Sequence, residues 1–197
     1  MSPEYTQIME IFVAPGEFYF GDRDTRIRTL LGSCVAITMW HPARRIGGMC
    51  HYMLPTRGKA SADAPAGRYA DEAIELFLGE IAAAGTLPSQ YEVKLFGGGD
   101  QFPGIEHCIA ETVPQRNVGT GRSLVNRHGF RIKMEDLGGS GHRNLIFDIW
   151  NGNVWMRKPQ GPLHRGNAQR PSDREDRRSD GGRFGGGAAG QLLAHQQ

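Results

Sequence analysis

Between Leu30 and Pro55 the chain reads LLGSCVAITMWHPARRIGGMCHYMLP, and no other stretch limits the fold as tightly. Its arms "CVAITMW" and "GGMCHYML" alternate apolar residues on either side of a proline turn, which predicts a β-hairpin. The same kind of run recurs along the chain. "EIFVAP" and "IRTLL" are short extended segments, and "YEVKLFGGG" and "FRIKMEDLGG" are strands that enter glycine turns, the second at Gly138 and Gly139. "RNLIFDIWNGNVWMRK" predicts a further hairpin, with Asn151-Gly152 in a type I′ turn.

Helical spacing is rarer. Over about 68–84, Ile74, Phe77, Leu78 and Ile81 follow the i, i+3, i+4, i+7 rule, and Gly85 stands at the C-terminal cap position. A weaker helix is expected from about Asn117 to His128, stopping at Gly129. Runs of strands with two main helices between them predict an α+β fold, with layered, mostly antiparallel β-sheets.

The body is expected to be one domain over 1–158. From Pro159 the composition turns to Gly, Arg, Asp and Gln, so 159–197 is expected to be a disordered, solvated tail. A body of about 160 residues buries about 70% of the surface its unfolded chain exposes, enough to fold without disulfides or metal. Three scattered cysteines make no framework, and "MSPEYTQIMEIFVAPG" has no leader-like pattern. No apolar run is long enough to cross a bilayer. A cytoplasmic protein with free thiols and no direct membrane insertion is therefore expected. A formal net charge of +2 gives no case for nucleic acid as a partner.

The hairpin raises the question of chemistry. If Trp40 faces Arg45 across the turn, Cys34 lies directly opposite His51, with Cβ atoms about 4.5–5.5 Å apart. A one-residue slip would instead put them on opposite faces. A thiol and an imidazole at that separation can share a proton, and a thiolate attacks carbonyls. The histidine then serves as general base and acid. Backbone N–H groups at Gly32 and Ser33 are placed to steady an oxyanion. The spacing permits this geometry without compelling it. A buried structural cysteine beside a satisfied core histidine explains the same residues.

The Leu30–Pro55 block closely resembles the signature of the CheD family, chemoreceptor glutamine deamidases of bacterial chemotaxis. "GRYADEAIELFL", "KLFGGG", "RNV" and "EDLGGSGHRNLIFDIWNGNVWMRK" resemble further landmarks of that family, so the likeness spans roughly 12–158. The resemblance implies a CheD-like fold and assigns the nucleophile to Cys34 and the catalytic histidine to His51. It further implies conversion of receptor glutamines to glutamates through a thioester with release of ammonia, with no cofactor and no metal. Methyl-accepting chemotaxis receptors are the implied substrates, and a CheC-type phosphatase is an implied partner.

One position departs from the pattern. The third catalytic position in some members, a threonine, lies six places before the cysteine; here that place is Arg28, and Thr29 is one residue nearer. Either Thr29 takes the role or a backbone carbonyl orients His51.

Other residues are read more plainly. Cys50, His107 and Cys108 lack zinc-ligand spacing, and Cys50 is expected to face away from Cys34. "FGGGD" lacks the order of a phosphate loop and is expected to be a turn with positive φ. His41 is expected to be solvated in the hairpin turn, His128 to end a helix, and His142 is a candidate for lining a substrate groove. Two other functions compete. A non-catalytic adaptor that binds receptors or the phosphatase would not need both Cys34 and His51. A protease or transglutaminase shares the thioester and differs in the bond attacked or the acceptor.

Overall fold

The computed structural model describes residues 7–58, 64–101 and 111–158. Along the chain these form β1 (Met9–Phe12), β2 (Phe18–Gly21), β3 (Thr25–Leu31), β4 (Val35–His41), β5 (Ile46–Tyr52), α1 (Ala70–Ala83), β6 (Glu92–Gly97), α2 (Val113–Arg127), β7 (Arg131–Leu137), β8 (Arg143–Asp148) and β9 (Asn153–Arg157). The strands make a four-stranded sheet, β1-β3-β8-β9, and a five-stranded sheet, β2-β5-β4-β6-β7. Only the β1–β3 and β6–β7 pairs are parallel. The α+β class with mostly antiparallel pairing is what the sequence predicted.

Alternation along the central strands sets the layers. Val35, Ile37, Met39, Cys50 and Tyr52 pack with Ile74, Phe77, Leu124 and Val125 of the helices. Their neighbours Ala36 and Met49 pack instead with Ile27, Leu31, Leu145 and Phe147 of the four-stranded sheet. The five-stranded sheet is thus buried on both faces, which is why β4 and β5 read as nearly continuous apolar runs. Between β3 and β4 the chain passes from one sheet to the other, and Gly32, Ser33 and Cys34 make that passage.

Three local expectations need correction. The β4–β5 hairpin is shifted by two residues: Trp40 faces Gly47, not Arg45, and His51 faces Ala36. The loop holds four residues, and Arg45, at φ 52°, is spent on the left-handed step that closes it rather than on pairing. The β8–β9 connection is not a type I′ turn. Asp148 pairs with Asn153, and in the loop between them only Gly152 has positive φ; the Trp40 indole packs where a β-carbon on Gly152 would stand. Finally, His41 is buried, 6% exposed, against the edge of Tyr91 at a centroid distance of 5.1 Å, instead of solvated.

The helix α1 buries Ile74, Phe77 and Ile81 as their spacing predicted, and Gly85 takes positive φ beyond its end. The second helix starts at Val113 rather than near Asn117. There Gln115 Oε1 accepts the Thr112 backbone N–H at 2.8 Å, with Pro114 in the first turn, a start signal that "TVPQ" carries. The strand β2 had no counterpart in the sequence reading. His107, Cys108 and the tail from Pro159 lie outside the described residues.

Candidate active site

The passage at Gly32–Cys34 is held by the glycine turn after β6. Gly98 N–H donates to the Cys34 carbonyl at 2.7 Å, and Gly99 N–H donates to the Gly32 carbonyl at 2.9 Å. Gly97, at φ 115°, leaves no room for a side chain, since a β-carbon there would stand 2.2 Å from the Cys34 oxygen. "FGGGD" is therefore the positive-φ turn expected, and its glycines let one backbone lie against another.

His51 sits on β5, 1% exposed, facing the four-stranded sheet. Its Nδ1 lies 2.8 Å from Thr29 Oγ1, and Thr29 Oγ1 donates to the Val13 carbonyl at 2.7 Å. A carbonyl only accepts, so the single hydroxyl hydrogen of Thr29 goes to Val13. Thr29 Oγ1 must then accept from His51 Nδ1–H, which fixes the tautomer and leaves Nε2 with its lone pair. The main chain of His51 is clamped as well, by Gly16 N–H to its carbonyl at 2.8 Å and by its own N–H to the Glu17 carbonyl at 2.9 Å.

The two options left open by the sequence are thus joined in one chain of bonds, hydroxyl and carbonyl together. Arg28, by contrast, is half exposed and pairs with Glu10 at 2.8 Å. Alternation along β3 turns it away from His51.

Cys34 is partly buried and packs against the inter-sheet cluster, the side to which His51 also points. Because the ladder is shifted by two residues and not by one, the two keep a common face. Cys34 stands one residue ahead of the ladder, whose first pair is Val35 with Tyr52, so it does not lie directly opposite His51. Burial pushes the Cys34 thiol above its ordinary pKa, opposed in part by a hydrogen bond from Ser33. Burial also lowers His51 to about 4, with the Val13 carbonyl and the Glu17 carboxylate pulling the other way. At neutral pH the pair therefore rests as thiol and imidazole, not as an ion pair. Such an arrangement can pass a proton from Sγ to Nε2 while sulfur attacks a carbonyl.

Cys50 faces the helices, fully buried, with its thiol pushed up to about 12. His128 caps the end of α2, and His142 is exposed in the loop before β8. Among the described residues no group of three or more His, Cys, Asp or Glu side chains could hold a metal ion.

Sequence reasoning missed Asn117 and Arg143. Asn117 is wholly buried on α2, and its Nδ2 reaches the Ser33 and Met53 carbonyls at 3.4 and 2.8 Å. Arg143, 1% exposed, is held by Asp136 at 2.8 Å and by the Gly138 carbonyl, and its Nη1 packs against Gly99 beside the turn. The signal for Asn117 was a polar residue on the same helical stripe as Gly121 and Leu124.

The family model for CheD chemotactic sensory transduction matches residues 53–158, a span that begins just after His51. A probable chemoreceptor glutamine deamidase CheD of Pseudomonas savastanoi pv. phaseolicola is 54% identical over 151 residues, 76% of this chain and 85% of the relative. One from Dechloromonas aromatica is 50% identical over 161 residues, 82% of this chain and 94% of the relative. One from Leptospira interrogans is 39% identical over 160 residues, 78% and 95% of the two chains. Among solved structures, the Bacillus licheniformis hypothetical protein YfiH is similar with a TM-score of 0.42 and 12% identity, over 60% of this chain and 49% of that one. With identity at this level across most of both chains, the protein belongs to the CheD family.

Proposed function

We propose that this protein is a protein-glutamine deamidase that converts specific chemoreceptor glutamines to glutamates, with Cys34 as nucleophile, His51 as general base and acid, and Thr29 as the group that orients His51. The observation that carries the proposal is the Val13–Thr29–His51 chain of hydrogen bonds, which leaves Nε2 basic on the face shared with Cys34. The names of the relatives supply the substrate class.

In the first half-reaction the Cys34 proton passes to His51 Nε2 as Sγ forms a bond to the glutamine Cδ. The N–H groups of the Gly32–Ser33 turn steady the oxygen that becomes negative. Collapse of the tetrahedral intermediate breaks the C–N bond, and the proton on His51 leaves with ammonia, giving a thioester. In the second half, His51 takes a proton from water, the resulting hydroxide attacks the thioester carbonyl, and the C–S bond breaks. Glutamate leaves and Cys34 recovers its proton. Water is the only co-reactant, and no cofactor or metal takes part.

No helix among the described residues is long and apolar enough to cross a membrane. The chain acts in the cytoplasm, on the receptor segments found there, and a CheC-type phosphatase is a further partner in this scheme. Neither nucleic acid nor membrane insertion has a part in it.

Intact and peptide mass spectrometry of a receptor cytoplasmic fragment tests the proposal, since conversion of Gln to Glu adds about one dalton at the modified residue. The wild type is expected to add that mass at defined glutamines and Cys34→Ala to add none. A folded wild type that leaves a receptor from the same cell unchanged would move the non-catalytic adaptor into first place. Co-purification with the phosphatase would then be the next measurement.

A further inference from the structure

The nucleophile and the base sit on separate pieces of backbone. Cys34 belongs to the sheet-to-sheet passage, whereas His51 belongs to β5, which runs on to Met53. One side chain touches both pieces. Asn117, fully buried in α2, donates from Nδ2 to the Met53 carbonyl at 2.8 Å and to the Ser33 carbonyl at 3.4 Å. Its own backbone carbonyl accepts the Tyr52 hydroxyl at 2.7 Å, which ties the helix to the same strand. Ser33 precedes the nucleophile and Met53 follows the base by two residues, so the carboxamide spans the site from behind.

We infer that Asn117 is a positioning residue for the Cys34–His51 reaction, a clamp that fixes the nucleophile turn against the strand of the base. This rests on the deamidase reading above. If Asn117 only filled space between helix and sheet, an apolar residue would do so without cost. Asn117 instead keeps Oδ1 buried and without a partner among the described residues, a destabilising arrangement. What offsets it is the pair of N–H bonds, and both end on backbone beside reacting residues. Because Cys34 stands just outside the β4–β5 ladder, its alignment with His51 depends on how the turn is set. A displacement of about 1 Å at a reacting group costs up to about 100-fold in rate.

Asn117→Asp keeps the shape and, as a carboxylate, turns two donors into acceptors facing carbonyls; Asn117→Ala removes them. Each is compared with the wild type in receptor deamidation, in thermal unfolding, and in alkylation of Cys34 by iodoacetamide across pH, with peptide mapping to assign the label. Deamidation is expected to fall about 10- to 100-fold in kcat with little change in KM. Alkylation is expected to move the opposite way. A released turn exposes the thiol, so labelling becomes faster and its inflection drops toward the ordinary thiol value of about 8.5.

A purely structural role would lower the unfolding temperature and reduce activity only with the folded fraction, leaving the alkylation profile of the folded protein in place. That pattern overturns the inference, as does wild-type kcat in either variant. Alkylation needs no receptor. Should the wild type itself fail to deamidate while the variants still shift the Cys34 profile, the reaction assignment falls and the clamp on the turn stands.

Discussion

Cys50 and His51 are adjacent on β5 but belong to different environments. Cys50 points to the helices, among Ile37, Phe77 and Val93, and its thiol meets the main chain of Ile37 and Tyr52. His51 points to the four-stranded sheet, in a layer where Thr25, Thr29 and Thr38 are also buried. For Cys50 packing suffices, and burial makes it an inert hydrophobe. On the inter-sheet side His51 Nδ1 has a designated partner in Thr29, itself bonded to Val13, which fixes a proton and an orientation. Being buried thus silences one residue and prepares the other, and the difference is whether a hydrogen-bonding side chain reaches the residue itself.

The sharpest way to break this contrast is to remove each of the two cysteines in turn. Cys34→Ala is expected to lower deamidation by at least about 10³-fold, because no other group supplies the nucleophile. Cys50→Ala is expected to retain near wild-type kcat and to lose about 1 kcal/mol of stability, seen as a few degrees in Tm. Loss of activity in the Cys50 variant at full folding would show that the helix side takes part in the chemistry.

Acid titration separates the layers by a smaller margin. His51 is held near 4 in the folded protein against an ordinary value of 6.5. Between those values the unfolded chain binds the proton that the folded chain refuses, so stability rises with pH through this window and is flat above it. The loss on going from neutral pH to below about 4 is about 3 kcal/mol from this group. His51→Gln removes the difference. Urea unfolding of the two proteins is expected to give curves that converge toward acid, the wild type losing more. Parallel curves would mean that the imidazole titrates normally and is not shielded between the sheets.

How much of this was legible in the sequence follows the same division. The helix-side layer repeats simple periods, so α1, its buried Ile74, Phe77 and Ile81, and the outward turn of Cys50 were all readable. The inter-sheet layer depends on long-range register, which a sequence states only up to the length of a turn. A common face for Cys34 and His51 survived because the loop error was two residues and parity was kept. Their direct opposition did not survive, because Arg45 closes the loop instead of pairing. Val13 was not legible for another reason. It contributes a carbonyl, which every residue carries, whereas Asn117 stood within the expected helix as a polar residue in line with Gly121 and Leu124.

Thr29 offers the finest cut, since it tests one bond rather than a layer. Thr29→Val keeps the volume and removes the hydroxyl, leaving His51 Nδ1 without its partner and the tautomer unset. A wrong tautomer puts hydrogen on Nε2, where the Cys34 proton must go, so kcat is expected to drop about 10- to 100-fold. Thr29→Ser restores the hydroxyl and with it most of the rate, because the bonds to His51 and Val13 need only Oγ. NMR of the imidazole nitrogens in the free protein gives an independent readout, with protonated Nδ1 expected in the wild type and the serine variant and mixed tautomers in the valine variant. If the valine variant were as active as the serine one, the Thr29–His51 bond would be a packing detail, and His51 would be oriented by the main-chain clamps from Gly16 and Glu17 alone.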